Sequence, residues 1–600
     1  MDQELTGTTP EAAHRPLAST FHINRQALAL LLIVVVLILT RLWDLGNRSY
    51  SHDESIHAWE AWKLVTGQRY VHDPVYHGPF LYHLTALVYF LLGVSDVTAR
   101  VGAALFSIAA VLLVWPLRRW LGRWGALFAM ALLTISPTMM YRGRFIRHDI
   151  FVIVPSMVMV VCFFKYLEER EERWLYVIAG ALSLTFCGKA NAFINGAIFG
   201  SFWVLYLLVE WLRSRRSVRE SAAFDVVVLL GTLALPLASP VLIKGLGYDP
   251  LDYGPAGLLR IRVVLLVLVG ISAAIGMWWR RKVWLIAAGI YYSIFLSLYT
   301  TLLTNARGVE SGFVGMLGYW ISQQDVARGG QPWYYYFFLL LVYEFLPLLL
   351  AVLGAAYYLL TRRTSAESSA SAETEVPSAA SAGVTFVPFL LYWVLLNFVI
   401  FTWSGEKMPW QNQHLVLPLA VLAGWFLGRV WDTTDWRELL RRGVSWALVL
   451  LPVALLALVA LLSTTLGEPG PFSGMALNQL EATLRWLLAL LVLLIAILFL
   501  FRYARQLWWT GYWRVALAVL VVVLGATTVR FAVMLSFINQ NYATEFLVFA
   551  AATPDTALVM DELNEMSRRL GGSQPLTVAY DNESQQPFFW YLRDRENVIF

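Results

Sequence analysis

Long apolar runs separated by short polar stretches dominate this chain. The first covers 27–40 and is extended by Leu42 and Trp43. Others cover 224–243 (interrupted only by Asp225 near its start), 261–279, 283–303, 337–360, 448–462 and 487–501. Many approach the ~17–25 residues that cross a bilayer core. Roughly 13 to 15 transmembrane helices are predicted, depending on how adjacent short runs are joined. The fold class is therefore an all-α polytopic membrane protein, with the membrane domain over 26–535. No soluble globule fits the pattern.

Composition agrees. Of 600 residues, 58% are hydrophobic and only 14% charged, against ~25% charged in an average soluble domain. The net charge of +5 is too small to argue for nucleic acid. Cys162 and Cys187 both lie in apolar runs and support neither a disulfide framework nor a metal site. The polar first 25 residues and the long first run do not fit a cleavable signal peptide.

The basic residues cluster at span ends, which is a topology signal. One loop holds Arg118, Arg119 and Arg123, and a second Arg213, Arg215, Arg216 and Arg219. Further loops hold Arg280, Arg281 and Lys282; Arg362 and Arg363; Arg437, Arg441 and Arg442; and Arg502 and Arg505. With these loops and the tail 1–25 inside, the spans alternate without conflict. The loops 44–97, 141–149, 188–191, 244–259, 304–335, 403–414 and 466–484 then lie outside, with the chain beyond 533. They hold most of the unusual polar residues, so the site is expected at the exterior face of the plasma membrane. The span interiors are poor in acids, Glu344 being a rare exception.

Residues 364–383 are rich in Ser, Ala and Glu and cannot bury enough apolar surface to fold. They read as a disordered inner linker. No internal repeat of the transporter kind is evident. The segment 536–600 reads as the start of an outer α/β domain that continues beyond this chain. It has a helix over 556–570, a strand over 575–580 and further pieces at 588–591 and 597–600.

The first outer loop places Asp53 and Glu54 just beyond the first span. Ionisable groups there are costly to desolvate and point to function. Ser51 to Glu54 also fits S-x-x-E, a capping box for an interfacial helix running to about Thr66. On that helix Asp53, His57 and Glu60 share one face. A carboxylate beside a histidine suits acid–base work, though an exposed polar face looks the same. His72, His77 and His83 follow with no standard zinc spacing.

The loop 136–149 gathers Arg142, Arg144, Arg147, His148 and Asp149 against the positive-inside trend. Arginine suits phosphate through its planar fork, and anchoring to lipid phosphates is the alternative. Lys189 lies between two apolar stretches, as a phosphate contact or a snorkelling lysine. In loop 403–414, Glu406, Lys407, Gln413 and His414 lie around Trp403 and Trp410. Lys407 is read as a phosphate contact and His414 as facing the cavity, although an interface turn looks similar. The loop 304–335 is long enough to cover a lipid entrance.

The ordered set Asp53-Glu54, then HGPFLYHL over 77–84, then LLGVSDVTARVGAALF over 91–106 resembles the GT-C superfamily of polyprenyl-phosphate-sugar-dependent glycosyltransferases. The nearest branch is glycosyltransferase family 39-like, with protein O-mannosyltransferases and aminoarabinose lipid A transferases. Within it the chain looks most like a prokaryotic family described as flippase-activity-associated. The resemblance covers 41–195 and 403–418, and the middle spans match only in hydropathy.

It implies an essential acidic motif at Asp53 and Glu54 and a second-loop acid at Asp149. His77-Gly78-Pro79 stands where some members have Lys-Pro-Pro, which puts a carried-over lysine role in doubt. His57, His77, Tyr82, Arg144, Arg147, His148, Asp149, Lys189, Glu406, Lys407 and His414 are the expected substrate contacts.

The expected reaction moves a sugar from a polyprenyl phosphate to a lipid, glycan or protein acceptor, with inversion. Asp53 is the base, with Glu54 positioning the acceptor or a cation. No cofactor is required, although a divalent metal (Mg or Mn) at Asp53 and Glu54 is left open. The competing reading is a lipid-linked-sugar flippase or its accessory.

Overall fold

The computed structural model describes residues 24–68, 70–214, 217–324, 326, 330–369, 382–441, 444–504, 509–570, 576–595 and 597–600. Among them, twelve helices are long and apolar enough to cross a membrane, by length and composition. One of these, Pro255–Tyr299, has 45 residues and a non-helical Arg280 inside it. It is two spans joined at the basic Arg280-Arg281-Lys282 turn, which brings the count to the lower bound expected. The chain is a multi-pass membrane protein.

The first ten helices build most of the site. They are α1 (Arg25–Leu42), α2 (His52–Val65), α3 (Phe80–Leu92), α4 (Asp96–Leu112), the short α5 (Arg118–Leu121), α6 (Arg123–Ile135), α7 (Pro137–Arg142), α8 (Asp149–Glu169), α9 (Glu172–Phe186) and α10 (Asn191–Ser214). The loop 44–97 is thus not open chain. It holds α2, and α3, which is apolar but too short to span and packs between α2 and α4.

The span formed by α6 and α7 is broken at Ser136-Pro137. Pro137 has no N–H to offer Leu133 O, four residues back. Arg41 of α1 supplies the missing donor. Its Nη2 lies 3.2 Å from Leu133 O and 3.2 Å from Thr134 O. On the other side of the break, Glu344 accepts from Ser136 Oγ at 2.6 Å and from the Thr138 backbone N–H at 2.9 Å. Glu344 itself sits where Tyr335–Tyr343 gives way to Phe345–Ser369, so the expected run 337–360 is two helices. Buried backbone groups need partners, and here a distant arginine and a distant glutamate provide them.

The helix Asn412–Asp432 packs on α6 at backbone distance. A Cβ at Gly424 would lie 2.5 Å from Ala129 N, and one at Gly428 2.5 Å from Gly125 Cα. Gly424 and Gly428 face Gly125 and Ala129, a small-x-x-x-small crossing on both sides. This contact helps to set the position of the end of the 412–432 helix that carries His414.

The linker 364–383 lies partly outside the described residues (370–381), as do most of the tail 1–25, Arg215, Arg216, Asp325, Arg328, Arg442, Arg505 and Pro575. Residues 364–369 end a helix and 382–383 begin one. Near the end of the chain, Asp555–Arg569 is a helix, and β1 (Val578–Ala579) pairs in parallel with β2 (Val598–Ile599) across the helix Gln585–Tyr591. This unit docks on α2. Ser55 Oγ donates to Gln586 Oε1 at 2.8 Å, Tyr50 N to Tyr591 Oη at 2.9 Å, and Trp590 Nε1 to Asp96 Oδ1 at 3.0 Å.

α2 begins with the capping box read from S-x-x-E. Ser51 Oγ accepts from Glu54 N at 3.2 Å, and Glu54 Oε2 from Ser51 N at 3.3 Å. Glu54 is also gripped by two guanidiniums. Arg48 Nη2 is 2.5 Å from Oε1, and Arg100 of α4 reaches Oε1 at 3.0 Å and Oε2 at 3.2 Å. All three side chains are buried.

Two outcomes follow. Arg100→Ala leaves Glu54 underpaired in the interior, and a loss of about 3–5 kcal/mol is expected, read as a lowered melting temperature in detergent. Gly428→Leu forces the 412–432 helix off α6 at a cost of about 1–3 kcal/mol, whereas Gly270→Leu, where a Cβ meets nothing within 4 Å, leaves melting unchanged.

Candidate functional site

α2 carries Asp53 and Glu54 as neighbours, and adjacent helical residues do not share a face. Glu54 turns into the arginine clamp. Asp53 turns into a cavity of about 260 Å³ also lined by His52, Ile56, His57, Val75, Tyr76, His77, Arg147, Glu406, Met408, Trp410, Phe549 and Ala550. The Asp53 side chain is 27% exposed and Glu54 0%. The acidic pair therefore divides into one group open to the cavity and one that holds the fold.

Arg147 ion-pairs with Asp53 through Nη1 and Oδ2. Its guanidinium carbon lies 3.3 Å from the centre of the Trp410 ring, a cation–π contact. On its other side Nε is 3.9 Å from Asp149 Oδ2. Asp149, at the start of α8, is fully buried and gathers three more groups. Lys189 Nζ lies 3.0 and 3.2 Å from its two oxygens, Asn191 Nδ2 3.1 Å from Oδ1, and His414 Nε2 3.3 Å from Oδ1. Lys189 is also 5.4 Å from the Trp410 ring centre. A small recess lined by Lys189, Asn191, His77 and Glu406 adjoins the main cavity, sharing its last two residues.

Burial alone would raise the Asp53 pKa, but Arg147 first, then His57 and His52, outweigh it and hold the carboxyl down at about 2. Burial, partly offset by Asp149, lowers the pKa of Lys189. Burial also pushes His57 down to about 3, with Arg147 adding to the effect. His72 falls to about 4, again through burial.

The histidines of the first loop are built in. His57 Nδ1 meets Tyr82 Oη at 3.1 Å, and Tyr82 donates to Tyr76 O at 2.7 Å. His72 bridges Ser311 Oγ at 2.9 Å and His77 O at 2.8 Å. The rings of His57 and His77 stand edge-on to His148, with centres 4.7 and 5.2 Å away. His148 Nε2 pairs with Gly78 O at 3.1 Å. Gly78 lies so close to the loop before α10 that a Cβ would fall 2.1 Å from Cys187 O. Any larger residue there would part His77 from Lys189.

Three expected contacts stand elsewhere. Arg144 donates to Thr40 O at 3.0 Å, Trp43 O at 2.5 Å and Asp44 O at 3.0 Å. It caps the carboxyl end of α1, whose last carbonyls lack partners within the helix, and does not line the Asp53 cavity. Lys407 donates to Ser404 O at 2.7 Å, so Glu406, not Lys407, lines the cavity. Glu54 is spent on Arg48 and Arg100, and Asp53 on Arg147, so the pair does not fit a shared divalent cation. Among the described residues no group of three or more His, Cys, Asp or Glu is arranged to hold a metal.

Three features of the site were not read from the sequence. Trp410 lies under three cations, Arg142, Arg147 and Lys189, rather than being only an interface tryptophan. Asn191 belongs to the Asp149 cluster. Phe549 and Ala550 close the cavity from above, where His52 N donates to Ala550 O at 3.0 Å. The Trp410 signal was present as an aromatic ring within a polar loop.

No curated protein matches the sequence. Among solved structures the chain is similar to ArnT from Cupriavidus metallidurans bound to undecaprenyl phosphate, at 16% identity, with 95% of this chain and 85% of that one covered and a TM-score of 0.46. It is similar to the archaeal oligosaccharyltransferase AglB from Archaeoglobus fulgidus, in complex with an inhibitory peptide and a dolichol-phosphate, at 16% identity, 84% and 56% coverage and a TM-score of 0.42. It is also similar to the S. cerevisiae protein O-mannosyltransferase Pmt1-Pmt2 complex bound to the sugar donor, at 16% identity, 48% and 36% coverage and a TM-score of 0.30. Residues 76–243 match the family model for dolichyl-phosphate-mannose-protein mannosyltransferase, so the GT-C glycosyltransferase resemblance holds over the stretch that carries His77, Arg147, Asp149 and Lys189.

Proposed function

We propose that this protein is a membrane glycosyltransferase that moves a sugar from a polyprenyl phosphate to an acceptor hydroxyl at the extracytoplasmic face. The observation that carries this reading is the pairing of one cavity-facing carboxylate, Asp53, with two buried cations, Arg147 and Lys189, around Trp410. The family match over 76–243 supports the same class. A flippase would be expected to line a path across the bilayer, whereas these groups gather at one end of the helices.

Phosphate is a good leaving group, so the site needs cations for it and a base for the acceptor. The acceptor oxygen bonds to the anomeric carbon on the face opposite the phosphate. The carbon–oxygen bond to phosphate breaks, its electron pair leaves with the phosphate, and the configuration inverts. The acceptor proton passes to Asp53. Arg147 and Lys189 meet the phosphate charge, and preorganised charge in a partly dry cavity lowers the barrier.

Asp53 held at about 2 by Arg147 is a weak base. A donor phosphate that takes Arg147 removes the strongest cation beside Asp53. Its pKa then climbs toward the ordinary carboxylate range and the group becomes a better proton acceptor. Donor binding thus activates the base. Glu54 holds α2 in place and does not touch substrate.

Transfer from a synthetic polyprenyl-phosphate sugar by the purified full chain tests the reading. Asp53→Asn is expected to lower kcat by about 10²–10⁴-fold while undecaprenyl phosphate still binds. Retained turnover would remove Asp53 as the base. Arg147→Ala is expected to weaken undecaprenyl phosphate binding about 10–100-fold, as for a lost charged hydrogen bond. The pH profile carries a sign. Asp53 is depressed and ionised above about 2, and His57 is depressed and neutral above about 3. His57 should therefore contribute no inflection to turnover near the ordinary histidine pKa of ~6.5. An inflection there that vanishes in His57→Gln would contradict this arrangement.

A further inference from the structure

A second cavity, of about 550 Å³, opens about one turn further along α2, between that helix and the unit at the end of the chain. Ile56 and Tyr76 line both this cavity and the one holding Asp53. Ile56 is about one helical turn beyond Asp53, so the two cavities adjoin beside that carboxylate. The volume lies within the roughly 300–1,000 Å³ of small-molecule sites.

The lining is of two kinds. Trp59, Tyr76, Phe589 and Tyr580 supply ring faces and edges, and Glu60, Gln585, Arg593 and Arg595 supply planar polar groups. Trp59 and Phe589 meet edge-on with centres 5.1 Å apart. Arg593 lies over Trp590, 3.9 Å from its ring centre, and its Nε has no hydrogen-bond partner among the described residues. The Arg595 side chain donates to Asn564 Oδ1 at 2.8 Å. The walls are fixed, because the Ser55–Gln586 and Trp590–Asp96 bonds tie the helix Gln585–Tyr591 to α2 and α4.

Rings beside planar carboxylate, amide and guanidinium groups match a pyranose. Its C–H face lies on an aromatic ring, and its hydroxyl rim pairs with planar polar groups that make paired hydrogen bonds. A lipid chain would need an unbroken apolar wall, which Glu60, Arg593 and Arg595 interrupt.

We infer that this groove is the acceptor site and that the acceptor is a saccharide. The inference rests on the transferase reading above and narrows it. A saccharide hydroxyl presented past Ile56 bonds the anomeric carbon, gives its proton to Asp53 and displaces the phosphate with the bonding pair.

The test uses the full chain in nanodiscs, with chitobiose, methyl mannobioside and a serine-containing peptide as probes in saturation-transfer NMR. Undecaprenyl phosphate binding is measured on the same samples. Saturation is expected to reach ring protons of at least one saccharide. Phe589→Ala and Arg595→Ala should each weaken that binding at least 10-fold, with undecaprenyl phosphate affinity and melting temperature unchanged. Absence of saturation on both saccharides, binding of the peptide alone, or saccharide binding untouched by both variants would overturn the assignment. Saccharide binding that responds to both variants while undecaprenyl phosphate fails to bind would uphold the groove and overturn the transferase reading.

Discussion

The arrangement depends on a fully buried carboxylate with two guanidiniums. Glu54 receives Arg48 from its own loop and Arg100 from α4, and the capping box fixes the same carboxylate to the first turn of α2. A buried charge is tolerable only when its partners are complete, so this cluster allows α2 one position. Asp53 inherits that position. One residue along the helix, it emerges into the cavity at the height of Arg147 and Trp410. The two acids look alike in sequence and do opposite work, because a helix turns about 100° per residue.

A second buried acid organises the other half of the site. Asp149 collects Lys189 and Asn191 from the turn into α10 and His414 from the 412–432 helix. Arg147 lies between the two acids and belongs fully to neither. A guanidinium resting on an aromatic face, with carboxylates on both sides, is well placed to move its bond to an incoming phosphate. The small-residue crossing of α6 with the 412–432 helix then keeps His414 and Trp410 opposite α8.

Much of this was legible in the sequence. The apolar runs carried the fold class, and the contrast between loops rich in Arg and Lys and loops with mixed polar groups marked the end of the helices where the candidate site residues gather. Asp53, Arg147, Asp149, Lys189, Glu406 and His414 could be chosen because each is a polar group at the mouth of an apolar run. What could not be read was the assignment of near neighbours. Arg144 and Arg147 differ by three residues, yet one caps α1 and the other faces the cavity, and the partner that decides this lies about 100 residues upstream. Glu406 and Lys407 were both expected at the cavity, and the turn of one short loop leaves only Glu406 lining it. The Gly424–Gly428 spacing was present in the chain but sat inside an apolar run, where composition hides it. The pairing of α2 with the last helix spans more than 500 residues and leaves no local trace.

The break at Pro137 has a geometric consequence for the arginines that follow it. At about 1.5 Å per residue, an unbroken helix would carry residue 147 roughly 15 Å further along its axis, clear of α2. By ending one axis and starting another, the chain exchanges height for reach. Arg41 and Glu344 act as the two jambs of that corner, one holding the carbonyls released below it and the other the amide released above. Neither comes near the cavity, yet the level at which Arg147 meets Asp53 is set by how firmly they hold that bend.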